Sequence, residues 1–280
     1  MRYSILINSC DAYSDAWPMF FFLLKKMWVG HFPKIYLNTE LKSYNDSSIS
    51  INIINSPTDI MWGERLINAL NSIEEDYVLM LLEDFYFESS INTEIIETCI
   101  DEMEKNKNIL SFQLTPNGEY DVENSYVVKE TVLGKFGKRK QFGLYTIAAG
   151  PTIWRKSDLK LLTRKNDSPW EWEFFGSHRT WLYGKKIYCW NDKSKKIFDY
   201  DVEHGGAIHR GKWVGYKMDE LTKKFNYDLN YGKREIEYDW MKDVESNKIC
   251  PFYFRLNTII KNRIKIISNV LYGLKVRGKY

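Results

Sequence analysis

Runs of apolar residues alternate with helical patterns along the first half of the chain. Residues 3–8 and 77–82 are apolar at nearly every position, which is typical of strands that are covered on both faces. Residues 14–28 instead place apolar side chains at helical spacing. The same reasoning predicts further strands at 35–37 and 51–54, and further helices at 60–73 and 91–105. This alternation predicts a parallel α/β sheet with crossover helices.

The second half of the chain continues with shorter elements. Strands are predicted at 109–114, 123–128, 141–147 and 187–190, with a basic, flexible loop at 134–140. Helix starts are predicted from capping residues: Asp59 for the helix at 60–73, Ser157 or Asp158 for a helix after residue 154, and a capping box from Ser168 to Glu171. A terminal helix is predicted at roughly 252–272.

The strand at 77–82 runs directly into two carboxylates, Glu83 and Asp84. In parallel sheets, ligand sites lie at the carboxyl ends of the strands. Two carboxylates beside a hydrophobic strand are costly unless a cation neutralises them, and a divalent cation that carries a phosphorylated ligand does so. The alternative is that both side chains cap the next turn and face the solvent.

Composition and charge narrow the class of protein. The chain has 280 residues, 16% of them aromatic, and a formal net charge of +3. It is long enough for one large domain, or for one domain with an appendage. Its four cysteines form no Cys-x-x-Cys pair, so neither a zinc knuckle nor a disulfide framework is indicated. We find no signal-like segment and no apolar run of about 18 residues, which predicts a cytoplasmic protein without a membrane span.

The order of the acidic motifs over residues 3–212 resembles that of GT-A glycosyltransferases, of the bacterial kind that assembles capsule, exopolysaccharide or lipopolysaccharide. The resemblance implies an α/β fold with a Rossmann-like mixed, mostly parallel sheet flanked by helices. It also implies a catalytic domain at 1–215 and a C-terminal helical extension at 216–280 with a basic amphipathic tail.

The resemblance implies a donor site for a nucleotide sugar, with a UDP-sugar as the default. The residues that match its elements are Asn8, Ser9, Asp11, Trp62, Arg65, Glu83, Asp84, Gly150 and Arg210. A Mn²⁺ or Mg²⁺ ion on the diphosphate would be held by Asp84 and His209. The chain departs from the family's Asp-x-Asp motif because Phe85 occupies the third position.

The resemblance also implies a catalytic carboxylate at a helix start, where Glu171 and Glu173 are the candidates. Residues two apart on a helix point to different faces. Since Glu171 belongs to the predicted capping box, Glu173 is expected to take the proton of the acceptor hydroxyl. Trp170 and Trp172 are the candidates for a sugar-stacking platform. A base in this place implies inversion at the anomeric carbon.

Three functions are compatible with these residues. The leading one is a metal-assisted, inverting glycosyltransferase that acts on a saccharide or lipid-linked saccharide acceptor. A nucleotidyltransferase acting on sugar phosphates is the second, but such an enzyme is expected to carry a glycine-rich, lysine-containing loop after the first strand, and residues 8–11 do not form one. The third is a non-catalytic sugar-binding subunit of a polysaccharide assembly complex.

The C-terminal tail is basic and amphipathic. From Arg255 onward the sequence has seven Lys or Arg residues and no Asp or Glu. Such a helix can lie on the cytoplasmic face of an anionic membrane. The alternative is a helix that packs on the catalytic domain or on a partner, and for residues 252–280 the two remain open. Nucleic acid is not expected to bind, because the basic residues lack the glycine-aromatic pattern of an RNA-binding sheet.

Overall fold

The structure is a computed structural model. It describes residues 1–116, 122–127, 135–192, 196–199, 206–239 and 251–279, and within these ranges it does not describe the side chains of 122–127, 135 and 251–258.

Helices and strands alternate through the first part of the chain, as the hydrophobic pattern predicts. In chain order the elements are β1 (Tyr3–Asn8), α1 (Trp17–Met27), β2 (Ile35–Thr39), β3 (Ile51–Asn55), α2 (Trp62–Ser72), β4 (Tyr77–Leu81), α3 (Thr93–Lys105) and β5 (Ile109–Gln113). A short 3₁₀ helix at Asp11–Tyr13 precedes α1.

The second part adds short strands and further helices. In chain order the elements are β6 (Val122–Val127), β7 (Lys135–Arg139), β8 (Thr152–Arg155), α4 (Lys156–Leu162), α5 (Pro169–Thr180), β9 (Lys186–Trp190), β10 (Ile208–His209), β11 (Lys212–Val214), α6 (Gly215–Phe225), β12 (Ile236–Glu237) and α7 (Pro251–Val276).

A nine-stranded sheet forms the centre of the fold. Its strand order is β3-β2-β1-β4-β8-β5-β9-β7-β6. Strands β8 and β7 are antiparallel to their neighbours, and the other seven strands run in one direction. Strands β10, β11 and β12 form a separate small sheet. The predicted fold class, a mixed, mostly parallel α/β sheet flanked by helices with a C-terminal helix, is confirmed.

The continuous apolar runs in β1 and β4 are explained by helices on both faces of the sheet. Leu79 and Leu81 of β4 face the layer that contains α1 and α3, while Val78 and Met80 face the layer that contains α2, α4 and α5. All four side chains are buried. Because both faces of β4 are covered, polar residues lie outside the strand, and two acidic residues follow its carboxyl end.

The basic segment at 134–140 is the main difference from the predicted elements. We expected a flexible loop there and a strand at 141–147, but the strand is β7 and residues 141–147 form turns. Phe136 gives the reason, because it is fully buried against Phe112 (ring centroids 4.8 Å apart) and Trp190 (5.0 Å). One buried aromatic and backbone pairing with β9 outweigh the surrounding charges.

Helix starts were predicted with mixed success. The capping box at Ser168 is confirmed, since its hydroxyl accepts from the Glu171 amide and the Glu171 carboxylate accepts from the Ser168 amide. Asp59 does not cap α2: that helix follows Met61, and its first-turn amides of Gly63 and Glu64 donate to backbone carbonyls of the 165–167 loop instead. Neither Ser157 nor Asp158 caps α4.

The terminal helix packs closely on α5. A Cβ atom on Gly273 would lie 1.9 Å from the backbone oxygen of Arg179, so only glycine permits this approach. Asn269 of α7 accepts a hydrogen bond from the Arg179 Nε at 2.7 Å. The division of the chain into 1–215 and 216–280 stays a prediction. Within the described residues, no helix is both long enough and apolar enough to cross a membrane.

Candidate active site

A cleft of about 580 Å³ lies at the carboxyl ends of β1 and β4. Nine of the residues singled out in the sequence line it: Asn8, Ser9, Trp62, Arg65, Glu83, Asp84, Gly150, Trp170 and Glu173. Parallel neighbours β1 and β4 end at the same edge of the sheet, which explains why the polar residues that follow them meet. The cleft therefore brings Glu83 and Asp84 together with Glu173, which lies about 90 residues later in the sequence.

The acidic pair follows β4 after one residue. Strand β4 ends at Leu81, and residues 83–85 form a turn. The Glu83 side chain is buried, whereas Asp84 is partly exposed. The backbone of Asp84 is held by a later segment, since its oxygen accepts from the Ala207 amide at 2.7 Å. Gly206 passes so close that a Cβ atom there would lie 2.7 Å from the same oxygen.

The electrostatics of the pair are unfavourable in the protein alone. Burial raises the pKa of Glu83, and the neighbouring charge of Asp84 raises it further. Burial also raises the pKa of Asp84. Among the described residues, neither carboxylate forms a salt bridge, and the charge of Arg234 opposes both shifts only from a distance. A buried and a partly exposed carboxylate that form no salt bridge are a site that a bound cation would stabilise.

The oxygen donors of this pair suit a divalent cation, but two carboxylates alone do not make a complete metal site. Carboxylate oxygens are the ligands that Mg²⁺ and Mn²⁺ prefer. His209, the second predicted ligand, lies in β10, two residues after the Ala207 that is bonded to Asp84. In the described part of the chain, no group of three or more His, Cys, Asp or Glu side chains is arranged as a metal site. The metal ion stays a prediction.

The loop after β1 lines the cleft with amide and hydroxyl groups. Asn8 accepts from the Nδ2 of Asn38 at 2.7 Å, and its own Nδ2 is buried without a partner among the described atoms. Ser9 accepts from the indole nitrogen of Trp17 at 2.7 Å, which fixes the hydroxyl. The Asn8 side chain is therefore fixed at the cleft, with its Nδ2 shielded from solvent.

Asp11 does not face the cleft, which corrects its assignment to the donor site. Its carboxylate accepts from the Thr39 hydroxyl at 2.8 Å and from the backbone amides of Leu41 and Lys42 at 3.1 and 3.0 Å. These bonds anchor the loop after β2 to the loop after β1. The carboxylate has a structural role that its position in the sequence does not reveal.

Arg65 reaches the cleft, but it is already paired. Its guanidinium forms a salt bridge with Glu40, which also accepts from the Asp11 amide. Sequence reasoning missed Glu40, since it lies in the loop after β2 and belongs to no motif. Among the described residues that line the cleft, Arg65 is the only Lys or Arg.

Glu173 and Glu171 lie on different sides of α5. Glu173 faces the cleft, where its Oε1 accepts from the Ala149 amide at 2.8 Å. Burial raises the pKa of Glu173, although this hydrogen bond opposes the shift. Glu171 completes the capping box and forms a salt bridge with Lys265, which lowers its pKa. Glu171 lines a different cavity, so the structure gives no support for a catalytic role of this residue.

The two tryptophans at the start of α5 also differ. Trp170 is 78% exposed and lines the cleft. Trp172 is fully buried, and its Nε1 donates to the Thr163 hydroxyl at 3.0 Å. Its ring packs against Trp62 and Trp154. Trp172 therefore cannot stack on an acceptor, and its assignment to an acceptor platform is wrong.

Two arginines lie near the small sheet of β10, β11 and β12. Arg210 was predicted as a donor-site residue but does not line the cleft, and Arg234 was not predicted. Arg210 is exposed in the β10–β11 turn with φ of 48° and is not among the described lining residues. Arg234 lies below this turn, where it forms two bonds of 2.9 Å to Asp15 and covers the ring of Tyr13 at 4.6 Å. No sequence signal links Arg234 to a partner 219 positions away.

No protein-family model matches the chain, and no curated protein matches it. Solved structures similar to it include S. aureus TarS 1–349 in complex with UDP, at 14% identity and a TM-score of 0.46, with 69% of this chain and 59% of that chain covered. CMP:2-keto-3-deoxy-manno-octonic acid synthetase is similar at 12% identity and a TM-score of 0.44, covering 80% and 97%. Glucosyl-3-phosphoglycerate synthase from Mycobacterium tuberculosis follows at 12% and 0.40, covering 81% and 80%.

At identities of 12–14% and TM-scores of 0.40–0.46, this likeness does not assign a reaction to the chain. The chain covers 59%, 44% and 59% of three TarS chains that it matches, which is less than two thirds of their length, and 68% of a fourth. The choice of reaction must therefore come from the side chains of the cleft.

Proposed function

We propose that this protein is a glycosyltransferase that moves a sugar from a nucleotide-sugar donor, with a UDP-sugar as the first candidate, to a saccharide or lipid-linked saccharide acceptor in bacterial surface polysaccharide synthesis. The observation that carries the proposal is one cleft with two kinds of carboxylate. Glu83, which is buried, and Asp84, which is partly exposed, form a pair without a salt bridge in the described chain, and Glu173 is a separate acid that accepts from a backbone amide.

The two kinds of carboxylate suit the two ends of a transfer reaction. Glu83 and Asp84 would hold a Mg²⁺ or Mn²⁺ ion, and such an ion neutralises the negative charge that develops on a departing diphosphate. Glu173, with its raised pKa, is suited to take a proton from an acceptor hydroxyl. The exposed ring of Trp170 offers a flat surface for the acceptor sugar. His209 remains the candidate for completing the shell of the ion.

The roles of the remaining groups follow from their hydrogen bonds. In this proposal Asn8 lies beside the nucleotide, and Gly150 lets the donor sugar approach the backbone. Arg65, which lines the cleft and pairs with Glu40, would donate to a diphosphate oxygen. Displacement by an acceptor activated at Glu173 gives inversion at the anomeric carbon in this proposal.

A nucleotidyltransferase acting on sugar phosphates is the alternative from the same fold. Such an enzyme must bind a nucleoside triphosphate and a sugar phosphate together, which calls for several cations. The described lining of the cleft offers only Arg65, and it is neutralised by Glu40. This shortage of cations favours a donor with a diphosphate, whose charge one metal ion can balance.

Donor binding and hydrolysis test the proposal. Thermal stability is measured with UDP, CTP and other nucleotides, each with Mn²⁺ and with EDTA, and a panel of nucleotide sugars is tested for hydrolysis. We expect a diphosphate nucleotide to stabilise the protein only when metal is present, and its sugar conjugate to be hydrolysed slowly. Stabilisation by a triphosphate together with pyrophosphate release would select the nucleotidyltransferase, while no response to any nucleotide would select a non-catalytic binding subunit.

A further inference from the structure

The outer face of α7 carries a straight apolar stripe. Five aliphatic side chains on this face are exposed by 48% or more: Ile260, Ile264, Ile267, Leu271 and Leu274. Their spacing alternates between four and three residues, so they form one line of about 21 Å along the helix. Scattered exposed apolar residues are common, but a continuous line of them indicates an interaction surface.

The inner face of the same helix is fixed to the protein. Asn269, Gly273 and Val276 are buried against the body of the fold, and Asn269 bonds to the buried Arg179. The helix therefore cannot roll to bury its outer stripe against α5. Since the described part of α7 is anchored in this way, the stripe is held outward.

The stripe is bordered by positive charge on both sides. Lys261 and Lys275 follow stripe residues directly, while Arg263 and Arg277 lie on the opposite flank, and all four side chains are exposed. The helix contains no Asp or Glu. In a coiled coil, the flanking positions of one helix face those of its partner. A second copy of α7 would place Lys and Arg opposite Lys and Arg, which disfavours a dimer through this seam.

Neighbouring parts of the chain widen this surface beyond one helix. Leu144 packs in the same cluster as Ile259 and Val270 of α7, and the loop around it exposes the rings of Phe142 (62%) and Tyr145 (43%). On another side of α7 lies an open cavity of about 610 Å³ whose lining includes Lys160, Arg164, Lys165 and Lys265. A single acidic helix would cover the stripe alone, whereas an extended surface could meet both the stripe and the exposed rings beside it.

We propose that α7 docks this protein onto an anionic lipid bilayer, with the Ile260-to-Leu274 stripe inserted at the headgroup boundary and the flanking Lys and Arg residues on acidic headgroups. An apolar line flanked by cations is the pattern of helices that lie in a membrane interface, where aromatic rings are also enriched. The proposal is independent of the proposed transfer reaction.

The experiment is vesicle binding by the 280-residue chain, without nucleotide or metal. Phosphatidylcholine vesicles are compared with vesicles that contain about a third phosphatidylglycerol. The apolar variant is Ile264→Asn with Ile267→Asn (77% and 58% exposed), and its matched control is Leu41→Asn with Val29→Asn (73% and 55%). The charge variant is Lys261→Gln, Arg263→Gln and Lys275→Gln, and its control changes the exposed Lys107, Lys186 and Lys223 to Gln.

We expect binding to the anionic vesicles only. The apolar variant should lose at least tenfold in affinity, and the charge variant roughly a hundredfold at low salt, because each cation at an anionic surface contributes about fivefold. Both controls should bind like the parent chain. Equal binding of parent and apolar variant would overturn the proposal, as would an absence of vesicle binding. Self-association in sedimentation that the apolar variant abolishes would assign the stripe to a second copy.

Discussion

The cleft and the scaffold beneath α7 both bury carboxylates, but they treat them in opposite ways. Asp167 accepts two bonds of 2.6 Å from Arg179, and Asp158 accepts from Tyr183 and from Lys185. Each scaffold acid thus has its cation in place. In the described cleft, Glu83 and Asp84 have none.

The difference separates carboxylates that hold the fold together from carboxylates available for a ligand. A buried acid that is fully paired has no capacity left for an external cation, whereas an unpaired one raises the free energy of the folded protein until a cation binds. Burial alone does not identify a functional acid. A functional acid is identified by its partners, and these are known only from the folded structure.

Removing Glu173 should have the largest effect. We expect Glu173→Gln to lower the transfer rate by about 10²- to 10⁴-fold, because the variant cannot accept the proton of the acceptor. The metal-dependent stabilisation by the donor nucleotide should be unchanged, since the substitution leaves Glu83 and Asp84 intact. Steady-state transfer assays and thermal shifts measure the two effects.

Glu171→Gln is the matched control for this prediction, because Glu171 lies on the same helix and faces a different cavity. It should retain most of the activity. The rate of the parent enzyme should fall as the pH is lowered through the raised pKa of Glu173, so the acid limb should lie above the usual range of a glutamate. Near-normal transfer by the Glu173 variant would remove this residue from the role of base.

Breaking the scaffold pair should affect stability. Asp167→Asn leaves the buried Arg179 guanidinium without its counter-charge, and loss of one partner of a buried pair costs about 3–5 kcal/mol. Urea unfolding of the purified chain measures the change. A loss below about 1 kcal/mol would mean that water or another acid compensates Arg179. Asp167 would then no longer serve as the example of a carboxylate that stabilises the fold.

Neutralising Glu83 in the cleft should increase the stability of the protein, whereas breaking the scaffold pair decreases it. In EDTA at pH 8, Glu83→Gln should raise the free energy of unfolding by about 1–3 kcal/mol, because a tenfold change in proton affinity between the folded and unfolded states corresponds to about 1.4 kcal/mol. The pKa of Glu83 is raised in the folded state, so the folded parent is penalised as the pH rises through that pKa.

The pH dependence supplies the control for Glu83→Gln. At pH 5 the parent carboxyl is protonated in the folded state, so the gain should be much smaller there. The same variant should lose metal-dependent stabilisation by nucleotide. A variant that is less stable than the parent at pH 8 would show that the pair is part of the scaffold.

The sequence predicted the sheet, the position of Glu83 and Asp84 after β4 and the helix start at Ser168 because these depend on local patterns. The β4 run, the carboxylates after it and the Ser168 capping box are each contained in a few consecutive residues. Glu173 was separated from Glu171 correctly, since the capping box occupies Glu171 and the helical period turns Glu173 to another face.

The remaining features depend on contacts between distant segments, which no local pattern encodes. Asp11 bonds to the loop at 39–42 instead of facing the cleft, and Trp172 packs in the layer around Trp154. The pairing of Arg65 with Glu40 has no signal in the sequence. The strand β7 was missed because a single buried Phe136 decides it. In each case a tertiary contact outweighs the local preference.

The smallest expected effect tests the boundary of α5, on which the orientation of Glu173 depends. Ser168→Ala removes the hydroxyl that accepts from the Glu171 amide and should cost about 1 kcal/mol of stability. Ser157→Ala is the matched control, because α4 has no side-chain cap and that hydroxyl should contribute less than about 0.5 kcal/mol. If the helix start frays, Glu173 loses its fixed angle to the Ala149 amide, so the Ser168 variant should also lose a small factor in transfer rate. Equal unfolding midpoints for the two variants would mean that Pro169 and the Glu171–Lys265 pair hold the helix start without the cap.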